Sequence, residues 1–138
     1  MKILDIDAPR VQAEKIGPDL WQLSKNYKAS YRTDEGVYVW FISKGFKTNF
    51  RSGSSIINWI IPKRGKFGPM FVVHDACYND KGEGISRKLS DKLLALACRF
   101  RKMSGWKVNL MRQAVTLFGK PAFSDSQKHL VKFYLVDK

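Results

Sequence analysis

The chain has 138 residues, 44% of them hydrophobic and 13% aromatic, which fits one domain around one buried core and excludes a disordered chain. Its formal charge is +13, and acids are absent between Glu35 and Asp75 and again between Asp91 and Asp125. Such a surface suits nucleic acid, anionic lipid or an acidic protein, or else is a solvated basic face with no specific partner. No stretch reaches the ~18 apolar residues of a spanning helix, so no transmembrane segment is expected.

Taken in chain order, the opening "MKILDIDAPRVQAEKIG" mixes acids with apolar residues and has no h-region. It does not read as a Sec-type signal peptide, and synthesis and folding in a cytoplasm are expected. Residues 1–18 lack a clear period and read as an N-terminal arm or a loosely packed leader. From Leu20 to Tyr31, Trp21, Leu23 and Tyr27 are candidate inward positions. "RTDEG" (32–36) is a turn signal, and "VYVWFI" (37–42) is β-branched and aromatic, as a strand requires. "SKG" then turns the chain into "FKTNF" (46–50), which suggests a small antiparallel meander over 19–50.

"RSGSS" (51–55) reads as a loop, "IINWII" (56–61) as a short apolar segment stopped by Pro62, and "KRGKFGP" (63–69) as a basic loop. Pro69 can open a helix that carries Met70, Val73, Cys77 and Tyr78 at helical spacing, ended by "NDKGEG". The clearest helix is 85–103, with Ser86 as N-cap and Leu89, Leu93, Leu96, Ala97 and Phe100 as its apolar stripe. Arg87, Lys88, Lys92, Arg99 and Lys102 read as its other face. A third helix over 106–118 closes at Gly119 and Pro121, and "HLVKFYLV" (129–136) reads as a last strand. The fold class is therefore α+β: a small antiparallel β-meander, an antiparallel helical hairpin, a third helix and a C-terminal strand. One domain spans 1–138, with the helical core over 51–120 and the C-terminal strand over 121–138. Cys77 and Cys98 belong to no CxxC pair and read as small buried hydrophobes.

The stretch that carries chemistry is "HDACYNDKGEGISRKLSD" (74–91). His74 and Tyr78 are four residues apart and share a helix face, while Asp75 sits about 100° round. The short connection to the next helix permits an antiparallel hairpin in which Asp91 comes level with His74. In that register Cys77 lies near Lys88 and Cys98 near Pro69, too far apart for a disulfide. Asp91 would orient the imidazole and Tyr78 would bond the same acid, giving a prepared general base. Asp75 could hold a hard cation with loop carbonyls. The same His–Asp pairing is also what a purely structural hydrogen bond looks like. His129 has no such neighbours.

His74-Asp75-x-x-Tyr78, followed by a helix carrying Asp91, resembles the core of the phospholipase A-two superfamily. That resemblance implies that His74 deprotonates a water, Asp91 orients His74, Tyr78 supports Asp91, and Asp75 binds calcium. The glycine-rich calcium loop of the secreted members, Y-G-x-x-C-G-x-G-G, does not stand upstream, and their disulfide pattern is missing. A second resemblance runs over about 45–123. "GFKTNFRSGS" (45–54), "PKRG" (62–65), "HDACY" (74–78), "SRKLSD" (86–91) and "AVTLFG" (114–119) are similar to a family of phage and prophage proteins of unknown function. Its pattern runs G-F-x-T-D-F-A-S-V-P, H-D-x-L-Y, S-R-x-x-A-D and A-V-x-x-F-G. Asn49 stands where that pattern has Asp, and Ser54 where it has Pro. Thr48, Asn49 and Ser52 would lie on a loop able to approach His74, or simply cap a turn.

Three functional readings follow. The first is a cell-envelope or phospholipase-like hydrolase that uses His74, Asp91 and Tyr78, with calcium as the candidate metal. The second is a virion structural or assembly protein, made in the host cytoplasm, that touches other phage proteins. The third is a nucleic-acid binder, although no helix-turn-helix, zinc or RNP pattern is present. In each, the basic surface of Lys63, Arg64, Lys66, Arg99, Arg101, Lys102 and Lys107 would face an anionic partner: membrane lipid, an acidic phage protein or nucleic acid.

Overall fold

Two strongly β-prone segments joined by a Thr-Asp-Glu-Gly turn set the centre of the fold. A computed structural model of the chain describes residues 1–18, 20–48, 67–79, 85–118 and 127–136. Among the described residues there are seven strands: β1 (Ile3–Asp7), β2 (Ala13–Gly17), β3 (Leu20–Leu23), β4 (Tyr27–Thr33), β5 (Gly36–Ile42), β6 (Lys47–Thr48) and β7 (Val131–Val136). The helices among the described residues are α1 (Gly68–Tyr78), α2 (Arg87–Phe100) and α3 (Gly105–Phe118), and a 3-10 turn over Lys128–Leu130 leads into β7. All strand pairings are antiparallel; one sheet has the order β1-β4-β5-β7 and the other β2-β3-β6. The architecture is α+β, as the sequence predicts.

The β4–β5 hairpin closes at Thr33 opposite Gly36. The Thr33 hydroxyl donates to the Gly36 carbonyl at 2.8 Å and accepts the Glu35 amide at 3.1 Å. Gly36 has φ 141°, and a Cβ there would meet the Val136 carbonyl oxygen at 2.9 Å, so the position requires glycine. Alternate residues of both strands point inward: Tyr27, Ala29 and Tyr31 from β4, and Tyr38, Trp40 and Ile42 from β5. Trp40 centres this face, with the Tyr31 ring edge-on at 4.8 Å and the Tyr38 ring stacked at 6.1 Å.

Helix α1 packs on β5 from the inner side, and α2 packs on α1, α3 and β1. Met70, Phe71, Val72, Val73, Ala76 and Cys77 are all buried, so α1 is covered all round, as expected of a helix held between a sheet and a second helix. Cys77 and Cys98 are buried free thiols.

Three expectations are corrected. Residues 1–18 do not form an arm: β1 is an edge strand of the four-stranded sheet and β2 pairs with β3. The register of β1 shifts between Ile3 and Asp5, so Ile3 and Ile6 both bury without strict alternation. The segment after β5 does not fold back on it. β6 pairs with β3, while β7 takes the place beside β5. The backbone carries this switch: Leu23 N donates to Phe46 O at 2.9 Å and Ser43 N to Leu130 O at 2.8 Å. The apolar stripe of α2 is also displaced. Leu93, Leu94, Ala95, Ala97 and Cys98 are buried with Ser90 and Asp91, while Leu89 and Leu96 are half-buried and Phe100 is exposed.

Candidate functional site

Two helix starts position the site. Pro69 stands at the opening of α1, where its missing N–H costs no hydrogen bond. Ser86 caps α2, its hydroxyl accepting the Leu89 amide at 3.1 Å. Ser90 donates to the Ser86 carbonyl at 2.9 Å and buries its own hydroxyl beside Asp91 in sequence.

The hairpin brings His74, Tyr78 and Asp91 together. His74 Nε2 lies 2.8 Å from Asp91 Oδ1, and the Tyr78 hydroxyl donates to the same oxygen. The His74 and Tyr78 rings lie with centroids 4.1 Å apart. All three residues are buried; the imidazole has 0% of its side chain exposed and Asp91 only 9%. Burial first, then the hydrogen bond and charge of Asp91, push the Tyr78 phenol above its ordinary value, while Arg87 pulls the other way. The phenol is thus held as a neutral donor. Chemically, the arrangement fixes the orientation of the imidazole through Nε2.

Arg87, which the helical spacing assigns to the outward face of α2, turns instead across to α3. Its Nη2 donates to the carbonyls of Val115 at 2.9 Å and Thr116 at 2.7 Å. Its guanidinium carbon lies 6.0 Å from the Tyr78 ring centroid. The cation therefore meets carbonyls near the C-terminal end of α3, where the helix dipole favours positive charge. In "SRKLSD" this Arg stands just after the cap and four residues before Asp91, a spacing that does not by itself reveal its reach to α3.

Asp75 is half-buried beside the trio, and its Oδ2 accepts the Thr48 hydroxyl. Thr48 is itself buried, so the end of β6 does approach α1, at Asp75. Asn79 ends α1 by returning its side-chain amide to the Asp75 carbonyl at 2.8 Å. Calcium takes six or more oxygen ligands. Among the described residues no group of three or more His, Cys, Asp or Glu side chains could hold a metal. Asn49 and Ser52 lie outside the described residues.

Of the basic residues, Arg99, Arg101, Lys102 and Lys107 gather around the α2–α3 turn. Arg99 Nη1 donates to the Met103 carbonyl at 3.0 Å, Lys102 takes φ 74° at the turn, and Lys107 Nζ lies 5.6 Å from the ring of the exposed Trp106. Lys63, Arg64 and Lys66 lie outside the described residues. His129 sits in the 3-10 turn before β7, away from the trio in sequence and element. Among the described residues no helix is long and apolar enough to cross a membrane.

The fold is a helical hairpin packed on an antiparallel sheet, with a His–Asp–Tyr cluster across the two helices. The model of one family, described as a protein of unknown function (DUF1353), matches residues 21–115, from β3 into α3 and across the whole cluster. The chain belongs to this family. No curated protein and no solved structure matches it.

Proposed function

We propose that the protein is a hydrolase of esters or amides in the cell envelope, encoded by a phage, with His74 as general base. The observation that supports this reading is the convergence of His74 Nε2 and the Tyr78 hydroxyl on one oxygen of Asp91. With Nε2–H donated to Asp91, Nδ1 takes a proton from water as the water oxygen adds to the carbonyl carbon. Asp91 stabilises the imidazolium so formed. The proton on Nδ1 then passes to the leaving oxygen or nitrogen as its bond to carbon breaks. The +13 charge favours anionic envelope substrates such as acidic phospholipid or peptidoglycan.

The complete burial of the imidazole favours a second reading, in which the cluster only holds α1 to α2 in a virion or assembly protein. One experiment separates them. Wild-type and His74→Ala proteins are assayed on anionic phospholipid vesicles and on peptidoglycan, with and without calcium, beside thermal melts. On the hydrolase reading, turnover on one substrate falls by about 10²–10⁴-fold in a folded His74→Ala protein. Absence of wild-type turnover on both substrates, with a destabilised His74→Ala protein, overturns it in favour of the structural reading.

A further inference from the structure

The inner face of the four-stranded sheet is covered by α1 and α2, but its outer face carries a pattern that packing does not require. The β4–β5–β7 ladder aligns Lys28, Phe41 and Lys132 in one row across three strands. The next row holds Ser30, Val39 and Tyr134. Because residues opposite each other in a ladder point to the same side, the two rows form one surface. Phe41 is 41% and Tyr134 50% exposed, which is unusual for rings on rigid strands. Their centroids lie 5.9 Å apart, edge to face, and Lys28 Nζ sits 5.6 Å from the Phe41 centroid. Beside them opens a concavity of about 340 Å³, lined by Phe41 and Tyr134 with Asn26, Tyr27, Ser43 and Lys132. That is the size of a site for a small organic group. Among the described residues of the sheet, the acids on this face are on β1, where Asp5 stands opposite Arg32 and Asp7 opposite Ser30; Asp7 thus ends the row of Tyr134, and the row of Lys28, Phe41 and Lys132 contains no acid.

We infer that this outer sheet face binds single-stranded nucleic acid, with bases stacked on Phe41 and Tyr134 and phosphates held by Lys28 and Lys132. Exposed aromatic rings on a sheet offer π-faces to unpaired bases, and flanking cations track the backbone. A second copy is disfavoured because the same lysine-bearing row would meet itself. An acidic protein would be held by charge and has no need of two rings. A bilayer draws rings below the level of the cations, whereas here the lysines stand in the same row as Phe41. The face is opposite the one covered by the helices that carry His74 and Asp91, so this inference does not rest on the hydrolytic reading.

The test measures fluorescence anisotropy of a labelled oligothymidylate, and of a duplex of equal length, with the full chain at low and moderate salt. The single strand is expected to bind more tightly than the duplex. Phe41→Ala and Tyr134→Ala are each expected to weaken binding about tenfold. Lys28→Gln and Lys132→Gln are each expected to flatten the salt dependence by about 0.7 in log–log slope. Phe41→Leu and Tyr134→Leu keep apolar bulk without the π-face and carry the test if an Ala variant melts early. Three results overturn the inference: no oligonucleotide binding at low salt, duplex binding as tight as single-strand binding and indifferent to the ring variants, or capture by anionic vesicles alone that depends on Phe41 and Tyr134.

Discussion

Replacing Tyr78 by Phe removes one hydroxyl from the cluster and leaves the ring. The ring keeps its place 4.1 Å from the His74 imidazole and under the Arg87 guanidinium at 6.0 Å. What is lost is a hydroxyl that donates to a carboxylate with only 9% of its side chain exposed. Hydrogen bonds to charged groups contribute about 1.5–3 kcal/mol, and water cannot readily replace this donor. For a chain between the small and large domain classes, each kcal/mol moves the melting temperature by about 3–5 °C, so a fall of roughly 5–15 °C is expected. Because both donors meet one Asp91 oxygen, a double-mutant cycle with His74→Ala should give a coupling of about 0.5–3 kcal/mol rather than simple addition. Urea denaturation of the four proteins measures it. A Tyr78→Phe loss below about 0.5 kcal/mol, the range of an ordinary surface substitution, together with additivity in the cycle, would refute the claim that the two donors share Asp91.

Other outcomes follow from single contacts. Ser86→Ala removes the acceptor of the Leu89 amide and should cost about 1 kcal/mol by denaturant titration, whereas Ser86→Asp should retain the cap. Burial holds the Cys98 thiol well above its ordinary range, so a thiol reagent should label it only as fast as the chain opens, and labelling should accelerate with denaturant. Burial likewise raises the Tyr27, Tyr31 and Tyr78 phenols above their usual value near 10. Above about pH 10 the unfolded chain releases tyrosine protons that the folded chain keeps, so stability is fully present below that pH and falls as pH rises through the folded values. Tyrosinate absorbance in the native protein should therefore lag that of the denatured protein, and melting temperature should drop steadily over the same alkaline window.

Local patterns in the sequence carried the helices; long-range pairing did not show. His74 and Tyr78 share a face by spacing alone, Ser86 announces a cap, and a short connection leaves α2 little choice but to run back along α1. Those facts place Asp91 within reach of both. β1 hides because its bulge breaks the alternation that identifies a strand, so "ILDID" looks aperiodic. The partner of β6 hides for a different reason: two residues, Lys47 and Thr48, carry too little pattern to choose between β5 beside them in sequence and β3 farther back. Arg87 was legible as a helix residue but not as a bridge, since nothing local says that the end of α3 presents carbonyls to it.

The cluster is an expensive way to join two helices. Asp91 is the one carboxylate that the described residues bury below a tenth exposed, and it lies in a hairpin otherwise packed with Phe71, Val73, Leu93 and Leu94. Desolvating an acid costs several kcal/mol, which a partner and a second hydrogen bond offset without a large surplus. An apolar trio of similar volume would hold α1 to α2 at least as firmly. A protein with 25 lysines and arginines against 12 acids has ready surface cations to satisfy a carboxylate, yet this one is turned inward onto an imidazole and a phenol. Stability alone does not account for that choice. On the proposed hydrolytic reading an imidazole oriented by a carboxylate does, because the orientation that is costly for packing is the one a general base requires.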